Sequence, residues 1–147
     1  MSTIDRGRDR EENIGRLLVR AQRAFEVELN ARLRERGYWD VRLAHSAVFA
    51  HVDAEGTRSG ELARRAGMTK QSMGELVTDL EGKGYVERLE DPADRRARVV
   101  RLTERGRRHV RDAVEIIGQI EGEYARRFGA GRLRTLRAVL AELASGA

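Results

Sequence analysis

The 147-residue sequence contains no cysteine, which removes structural disulfides, thiolate metal sites and cysteine redox sensing together. It has no apolar run approaching the length of a membrane span, and no hydrophobic stretch follows the charged first ten residues as it would in a leader peptide. A cytoplasmic protein with no membrane partner is therefore expected, with residues 1–10 as a flexible N-terminal tail. Enzyme signatures are also missing. The sequence has no nucleophile motif, no phosphate-binding loop and no paired carboxylates beyond surface acids, so it is not expected to be an enzyme. The three histidines are poorly placed for a metal. His45 and His51 are six residues apart, on different faces of a helix, and His109 lies far along the chain. Neither a metal nor a cofactor is expected.

What the sequence does have is charge on a helical framework. Charged residues make up 36%, with Lys+Arg 29 against Asp+Glu 24, a net charge of +5 and a pI near 10.3. A basic balance favours polyanionic partners such as nucleic acid. Nearly all the bases are arginine, since Lys70 and Lys83 are the only lysines, and arginine richness also follows from a GC-rich genome. The balance alone decides nothing.

The apolar residues Ile14, Leu17, Leu18, Ala21, Phe25, Leu29 and Leu33 recur at three- and four-residue steps, predicting a long helix over 13–36 that stops at Gly37. A short helix over 42–51 turns Val48, Phe49 and Val52 inward, and a third, capped by Thr57 or Ser59, runs to Ala66. After Gly67 a fourth is capped by Thr69 and ends near Gly84. Strands are expected over 85–89 and 98–102, joined by the turn Asp91-Pro92-Ala93-Asp94. From Thr103 a second long helix carries Val110, Val114, Ile117, Ile120, Tyr124 and Phe128. After Gly129-Ala130-Gly131 a last helix aligns Leu133, Leu136, Leu140 and Leu143. The class is mainly α with a small β-hairpin. Long apolar stripes at both chain ends exceed what one small unit covers, so they call for partner helices, most simply from a second copy of the chain.

The segment SGELARRAGMTKQSMGELVTDLEGKGYVER reads as two helices joined by a tight turn, with Ala63 at the crossing and Gly67 in the turn. On the second helix Met73, Leu76, Val77 and Leu80 face inward. Gln71, Glu75 and Thr78, flanked by Ser72 and Gly74, face out as short or polar groups suited to base edges. Thr69 and Lys70 at its start offer amides and a positive charge to phosphate. An exposed helical glycine costs about 1 kcal/mol against alanine. At Gly74 close approach of DNA to the backbone and simple drift explain it equally well. Glu75 and Asp79 oppose DNA by charge, although Glu75 can accept from a cytosine amino group.

Two strands with a basic tip follow at once, in the arrangement of a winged helix whose wing reaches an adjacent minor groove. Arginine suits the negative potential of a narrow groove. Asp94 and Arg96 are two residues apart, close enough for the carboxylate to pin the guanidinium.

The stretch GELARRAGMTKQSMGELVTDLEGKGYVERLEDPADRRARVVRLTERG resembles the core of the multiple-antibiotic-resistance regulator (MarR) family, most specifically in its wing, DPADRRARVVRLT. The resemblance covers about residues 42–106. It implies a winged helix-turn-helix DNA-binding domain over 42–103, with 11–41 and 104–147 forming a helical dimerisation region. By position it puts Gln71, Ser72, Gly74 and Glu75 at bases, Asp94 and Arg96 on the wing pair, and Arg95 and Arg98 at phosphates. It further implies a homodimer on palindromic double-stranded operator DNA, a repressor in most members, released by a small phenolic or aromatic effector. Trp39, Arg42 and His45 would supply an aromatic wall, an anion partner and a hydrogen-bonding group to that effector; Trp39 and His45 read equally as packing residues. The acidic, glycine-bearing recognition helix departs from the family pattern and leaves the operator sequence open. Two rivals remain: an assembly module, which would show an apolar patch in place of the polar face and wing arginines, and non-specific nucleoid-type DNA binding.

Overall fold

The computed structural model describes residues 13–146. The expectation for residues 1–10 lies outside them. Helix α1 spans Ile14–Glu35, and a 3-10 turn Leu43–His45 leads into the one-turn α2, Ser46–Phe49. Strand β1 is Thr57–Arg58, α3 is Ser59–Ala66 and α4 is Lys70–Gly82. Strands β2, Val86–Asp91, and β3, Asp94–Leu102, precede the long α5, Glu104–Phe128, and the terminal α6, Ala130–Ser145.

The ends of these helices follow from short polar side chains. The Asn13 side chain caps α1 by accepting the Arg16 N–H at 3.0 Å. Thr69 caps α4 through the Ser72 N–H at 3.1 Å. Thr103 caps α5 through the Gly106 N–H, while its own hydroxyl donates to the Gly84 carbonyl at 2.6 Å. Gly106 is required there: a Cβ would stand 2.1 Å from the Tyr85 carbonyl oxygen, so any larger residue would push α5 off the backbone at Tyr85, just before β2. The expected cap of α3 is not formed. Ser59 is already its first residue, Arg58 occupies the cap position without a side-chain bond, and the Thr57 hydroxyl accepts the Asp53 N–H instead.

The sheet has three strands where two were expected, in the order β1-β3-β2, all antiparallel. Two residues of β1 are too few to carry a pattern. The hairpin is longer than the apolar rhythm suggests, because β3 begins at Asp94 and its first five residues expose polar side chains or sit half-buried.

The core lies in the middle of the chain. Val48, Leu62, Met73, Val77, Leu80, Tyr85 and Val100 are fully buried at 0% exposure, joining α2, α3, α4 and the sheet. Helix α5 contributes Gly106, His109, Ile116 and Ile120 to the buried side. Val114, on the apolar stripe read from the sequence, is 64% exposed. The α5 face that packs includes a glycine and a histidine, which an apolar count passes over. Helix α1 crosses α5 and is tied to it by Arg32 to Glu123 at 2.6 Å and Arg36 to Glu115 at 3.0 Å. Helix α6 buries no residue at all.

Candidate nucleic-acid interface and the cavity behind it

Helix α4 is seated by one face and open on the other. Met73, Leu76, Val77 and Leu80 are buried, while Lys70, Gln71, Ser72, Glu75 and Thr78 are exposed. The cap consumes the Ser72 amide and the Thr69 carbonyl takes that of Met73, which leaves the Lys70 and Gln71 amides at the helix start for an anion. The Thr69 hydroxyl also donates to Ser72 Oγ at 2.9 Å, so both side chains are partly committed to the cap. A Cβ added at Gly74 would meet nothing within 4 Å, so no contact within the chain demands glycine there.

Arg88 of β2, which no sequence motif singles out, holds this helix to the sheet. Its guanidinium donates to the Gly74 carbonyl at 3.2 Å, to Thr78 Oγ1 at 3.1 Å and to Glu81 Oε1 at 3.1 Å. The Thr78 hydroxyl donates in turn to the Gly74 carbonyl at 2.9 Å. That hydroxyl is therefore occupied, and Thr78 presents chiefly its methyl group outward. An arginine in a short strand carries no sequence signal for such a role; only the register beside α4 reveals it.

The wing is braced from its base. Asp91 accepts the Ala93 N–H at 2.9 Å, closing the turn, and takes Arg58 Nε at 2.7 Å from β1. Asp94 does not pin the Arg96 guanidinium as expected. Its Oδ1 accepts the Arg96 backbone N–H at 3.0 Å, a local turn bond that a carboxylate two residues upstream makes more readily than a reach to the end of a long side chain. Arg95, Arg96 and Arg98 are exposed, and their guanidinium groups make no hydrogen bond or ion pair among the described residues. Other arginines nearby are paired: Arg58 with Asp91, Arg88 with Glu81, Arg101 with Glu87. The tip thus holds three free cations on a fixed hairpin.

Behind α4 lies a cavity of about 350 Å³ between α1, the segment 41–50 and α5. Leu29, Leu33, Phe49, Val110 and Ile117 give it apolar walls, and Arg42, Glu26 and His109 are its ionisable lining residues. Of the three residues expected around an effector, only Arg42 borders it. Trp39 is 69% exposed and is not among the lining residues. His45 is fully buried and faces α4 instead. Its Nδ1 accepts the Arg42 backbone N–H at 2.9 Å, which places the proton on Nε2, and that nitrogen meets Asp79 Oδ2 at 2.6 Å. Asp79 also receives Lys83 Nζ at 2.9 Å and lies 3.6 Å from Arg42 Nη2. The Lys83 ammonium foremost, and the His45 bond after it, hold the Asp79 carboxyl below its ordinary range. Burial, partly countered by Asp79, pushes the His45 imidazole down.

His109, which has no partner nearby along the sequence, is 3% exposed and stacks on Phe49 with ring centroids 4.0 Å apart. Neither of its ring nitrogens has a hydrogen-bond partner among the described residues. Burial pushes its pKa down to about 4, so the ring is neutral at physiological pH, with one donor and one acceptor. Among the described residues no three His, Cys, Asp or Glu side chains gather as a metal would require. No described helix is long and apolar enough to cross a membrane.

A family model described as "MarR family" matches residues 39–97, the span from the segment before α2 to the wing tip. This winged-helix unit is a MarR-family domain. The chain is 31% identical over 80 residues to the transcriptional regulator HosA of Escherichia coli O111:H-, a match spanning 54% of this chain and 59% of that one. The chain thus aligns with about three-fifths of this curated relative. Its structure is similar to CouR from Rhodococcus jostii RHA1 bound to p-coumaroyl-CoA, with TM-score 0.71 and 29% identity over 91% of this chain and 93% of that one. It is also similar to the transcriptional repressor CouR bound to a 23-mer DNA duplex, with TM-score 0.76 and 25% identity over 97% and 99% of the two chains. The proteins that this MarR-family domain matches are transcriptional regulators, not enzymes.

Proposed function

We propose that the protein is a ligand-responsive transcriptional repressor that binds palindromic operator DNA as a homodimer in the cytoplasm. The observation that carries this reading is the pairing of an exposed polar helix face with three unpaired arginines on a braced wing. In a chain whose neighbouring arginines are spent on ion pairs, free cations beside a base-reading helix fit phosphate and a narrow minor groove. Gln71, Ser72, Gly74, Glu75 and Thr78 then face the major groove, with Thr69 and Lys70 at phosphate. Arg96 enters the minor groove while Arg95 and Arg98 meet the backbone. An apolar patch, which an assembly module would need, is absent from this described face.

The dimer follows from the other end of the molecule. Leu136, Val139, Leu140 and Leu143 on α6 are 37–55% exposed, and Ile14, Leu17, Leu18 and Val19 on α1 are 40–70% exposed. Residues 11–41 and 104–147 therefore form the dimerisation region, because apolar stripes of this length are stable in water only when covered. Two copies related by a two-fold axis present two recognition helices, which calls for a palindrome with half-sites about one helical turn apart. The effector reading rests on the cavity, with Arg42 as its anion partner, and draws support from CouR, whose structure was determined with p-coumaroyl-CoA.

Selection of duplexes from a random pool tests the reading. The expected product is a palindrome bound by two protomers; retention of unrelated sequences with equal affinity would replace it with non-specific binding.

A further inference from the structure

The exposed face of α4 carries a side chain whose polar function is already committed inside the chain. Thr78 gives its only hydroxyl hydrogen to the Gly74 carbonyl at 2.9 Å, the back-bond open to a threonine in a helix. Its oxygen accepts Arg88 Nη2 at 3.1 Å, and the same nitrogen donates to the Gly74 carbonyl at 3.2 Å. These bonds close a triangle that fixes the Thr78 rotamer. Arg88 is held in turn, because Glu81 takes its Nη1 at 3.1 Å and its backbone N–H at 3.3 Å. Resting on the operator reading above, we propose that Thr78 reads a thymine through its methyl group. Arg88 is the positioning residue that holds the hydroxyl away from the base, and Gly74 leaves room for the thymine methyl.

The choice of base follows from what Thr78 still has to offer. In the major groove guanine presents two acceptors and adenine one, and each needs a hydrogen that Thr78 has given away. The amino groups of cytosine and adenine need an acceptor, and would arrive beside the Arg88 cation. The C5-methyl of thymine needs only an apolar surface. Thr78 is exposed and shares an open cleft with Gln71, Gly74 and Glu75, so its methyl lies on the surface that DNA would meet. The Arg88 side chain is only 19% exposed and both its Nη groups are engaged, so it orients Thr78 and does not itself meet a base.

Gly74 completes the fit. Helical side chains lean towards the N-terminus, so Thr78 overhangs the turn that contains Gly74. A Cβ at Gly74 would meet nothing within 4 Å, so packing within the chain does not ask for glycine. Its missing side chain leaves the helix surface bare beside the Thr78 methyl. Glycine inside a helix is unfavourable against alanine, and a base that comes close gives it a use.

The test replaces thymine by deoxyuridine in the selected palindrome, one symmetric pair of positions at a time, and reads binding of the full chain by fluorescence anisotropy. The change removes only a methyl in the major groove. One pair should cost about tenfold to twentyfold in affinity, roughly fourfold for each half-site, the worth of one buried methyl. Thr78→Val keeps the branched shape and should retain operator affinity and that sensitivity within about twofold. Thr78→Ser keeps the hydroxyl but not the methyl, and should make thymine and uracil equivalent at that pair. Arg88→Met should lower the sensitivity at that pair while the other pairs respond as in the parent, a selective change that a general loss of structure does not give. Gly74→Ala favours the helix and should raise the melting temperature, yet weaken operator binding by about tenfold. The proposal is overturned if no thymine pair responds, or if Thr78→Ser or Arg88→Met leaves the response intact. It is also overturned if Gly74→Ala binds as the parent does, or if Thr78→Val loses as much affinity as Thr78→Ser, which would give the reading to the hydroxyl. A parent with no preference for the palindrome over a scrambled duplex removes the operator reading itself. A parent that prefers the palindrome but ignores every methyl contradicts the thymine assignment alone.

Discussion

The middle of the chain and its two ends contain similar apolar residues but treat them differently. In the winged-helix unit seven core residues have no exposure, and each helix sits on another element of the same chain. In the terminal helices the leucines are as regularly spaced, yet α6 buries none of them. Burial stabilises by roughly 25 cal/mol per Å² of apolar surface, so the first region gains this within one chain, whereas α6 gains none of it from its own chain. The lesson is that equally regular apolar spacing can be satisfied within the chain in one region and left uncovered in another, which is what the proposed dimer would cover.

The largest expected effect breaks the second region. Leu136→Glu with Leu140→Glu places charges on the stripe that two protomers would share, and should abolish the dimer in light scattering and operator binding with it. A variant that stays dimeric would assign the interface elsewhere. The same substitutions should leave the α2–α4 core folded by circular dichroism, since no residue of that core touches α6 through a buried side chain.

The next effect sharpens the first region through His109. Its folded pKa is depressed to about 4 against 6.5 ordinarily, so the unfolded chain binds a proton that the folded chain refuses. Its contribution is fully present above about pH 6.5 and is lost as pH falls towards 4, by up to about 3 kcal/mol. His45 is shifted in the same direction and adds to the loss. Melting temperature should therefore drop between pH 7 and pH 5, and His109→Phe should flatten the drop. An unchanged slope in that variant would show that His109 does not set it.

Smaller effects concern the wing. Arg96→Ala should weaken operator binding by roughly 1–3 kcal/mol and reduce the salt slope by about one, as seen by fluorescence anisotropy across a salt series. Asp94→Ala should cost less, about 1 kcal/mol, because Asp94 shapes the tip by holding the Arg96 amide and does not hold its guanidinium. Equal losses from both would restore the direct Asp94–Arg96 pairing expected from spacing.

Much of the fold is legible in the sequence because periodicity and caps agree. The limits of α1 and α4, the inward set Met73, Leu76, Val77 and Leu80, and the turn at Pro92 all follow from side-chain chemistry local to each element. What is not legible depends on contacts between distant elements. Arg88 looks like any strand arginine until the sheet lays it against Gly74 and Thr78. His109 interrupts an apolar stripe in sequence yet occupies the buried side of α5 in space. His45 reads as a polar group near Trp39, but its partner Asp79 lies 34 residues away. Spacing alone places Asp94 near Arg96 without distinguishing the backbone amide from the side chain, and local geometry favours the amide.

The most direct test of the account is an anisotropy titration of the parent protein on its selected palindrome, on the same duplex with one half-site scrambled, and on a fully scrambled duplex. The account predicts two protomers per intact duplex and an affinity at least about a thousandfold above the scrambled sequence at physiological salt. It also predicts a marked loss when one half-site is removed. Equal affinity for all three duplexes would contradict it, reducing the polar helix face and the free wing arginines to a charged surface with no sequence to read.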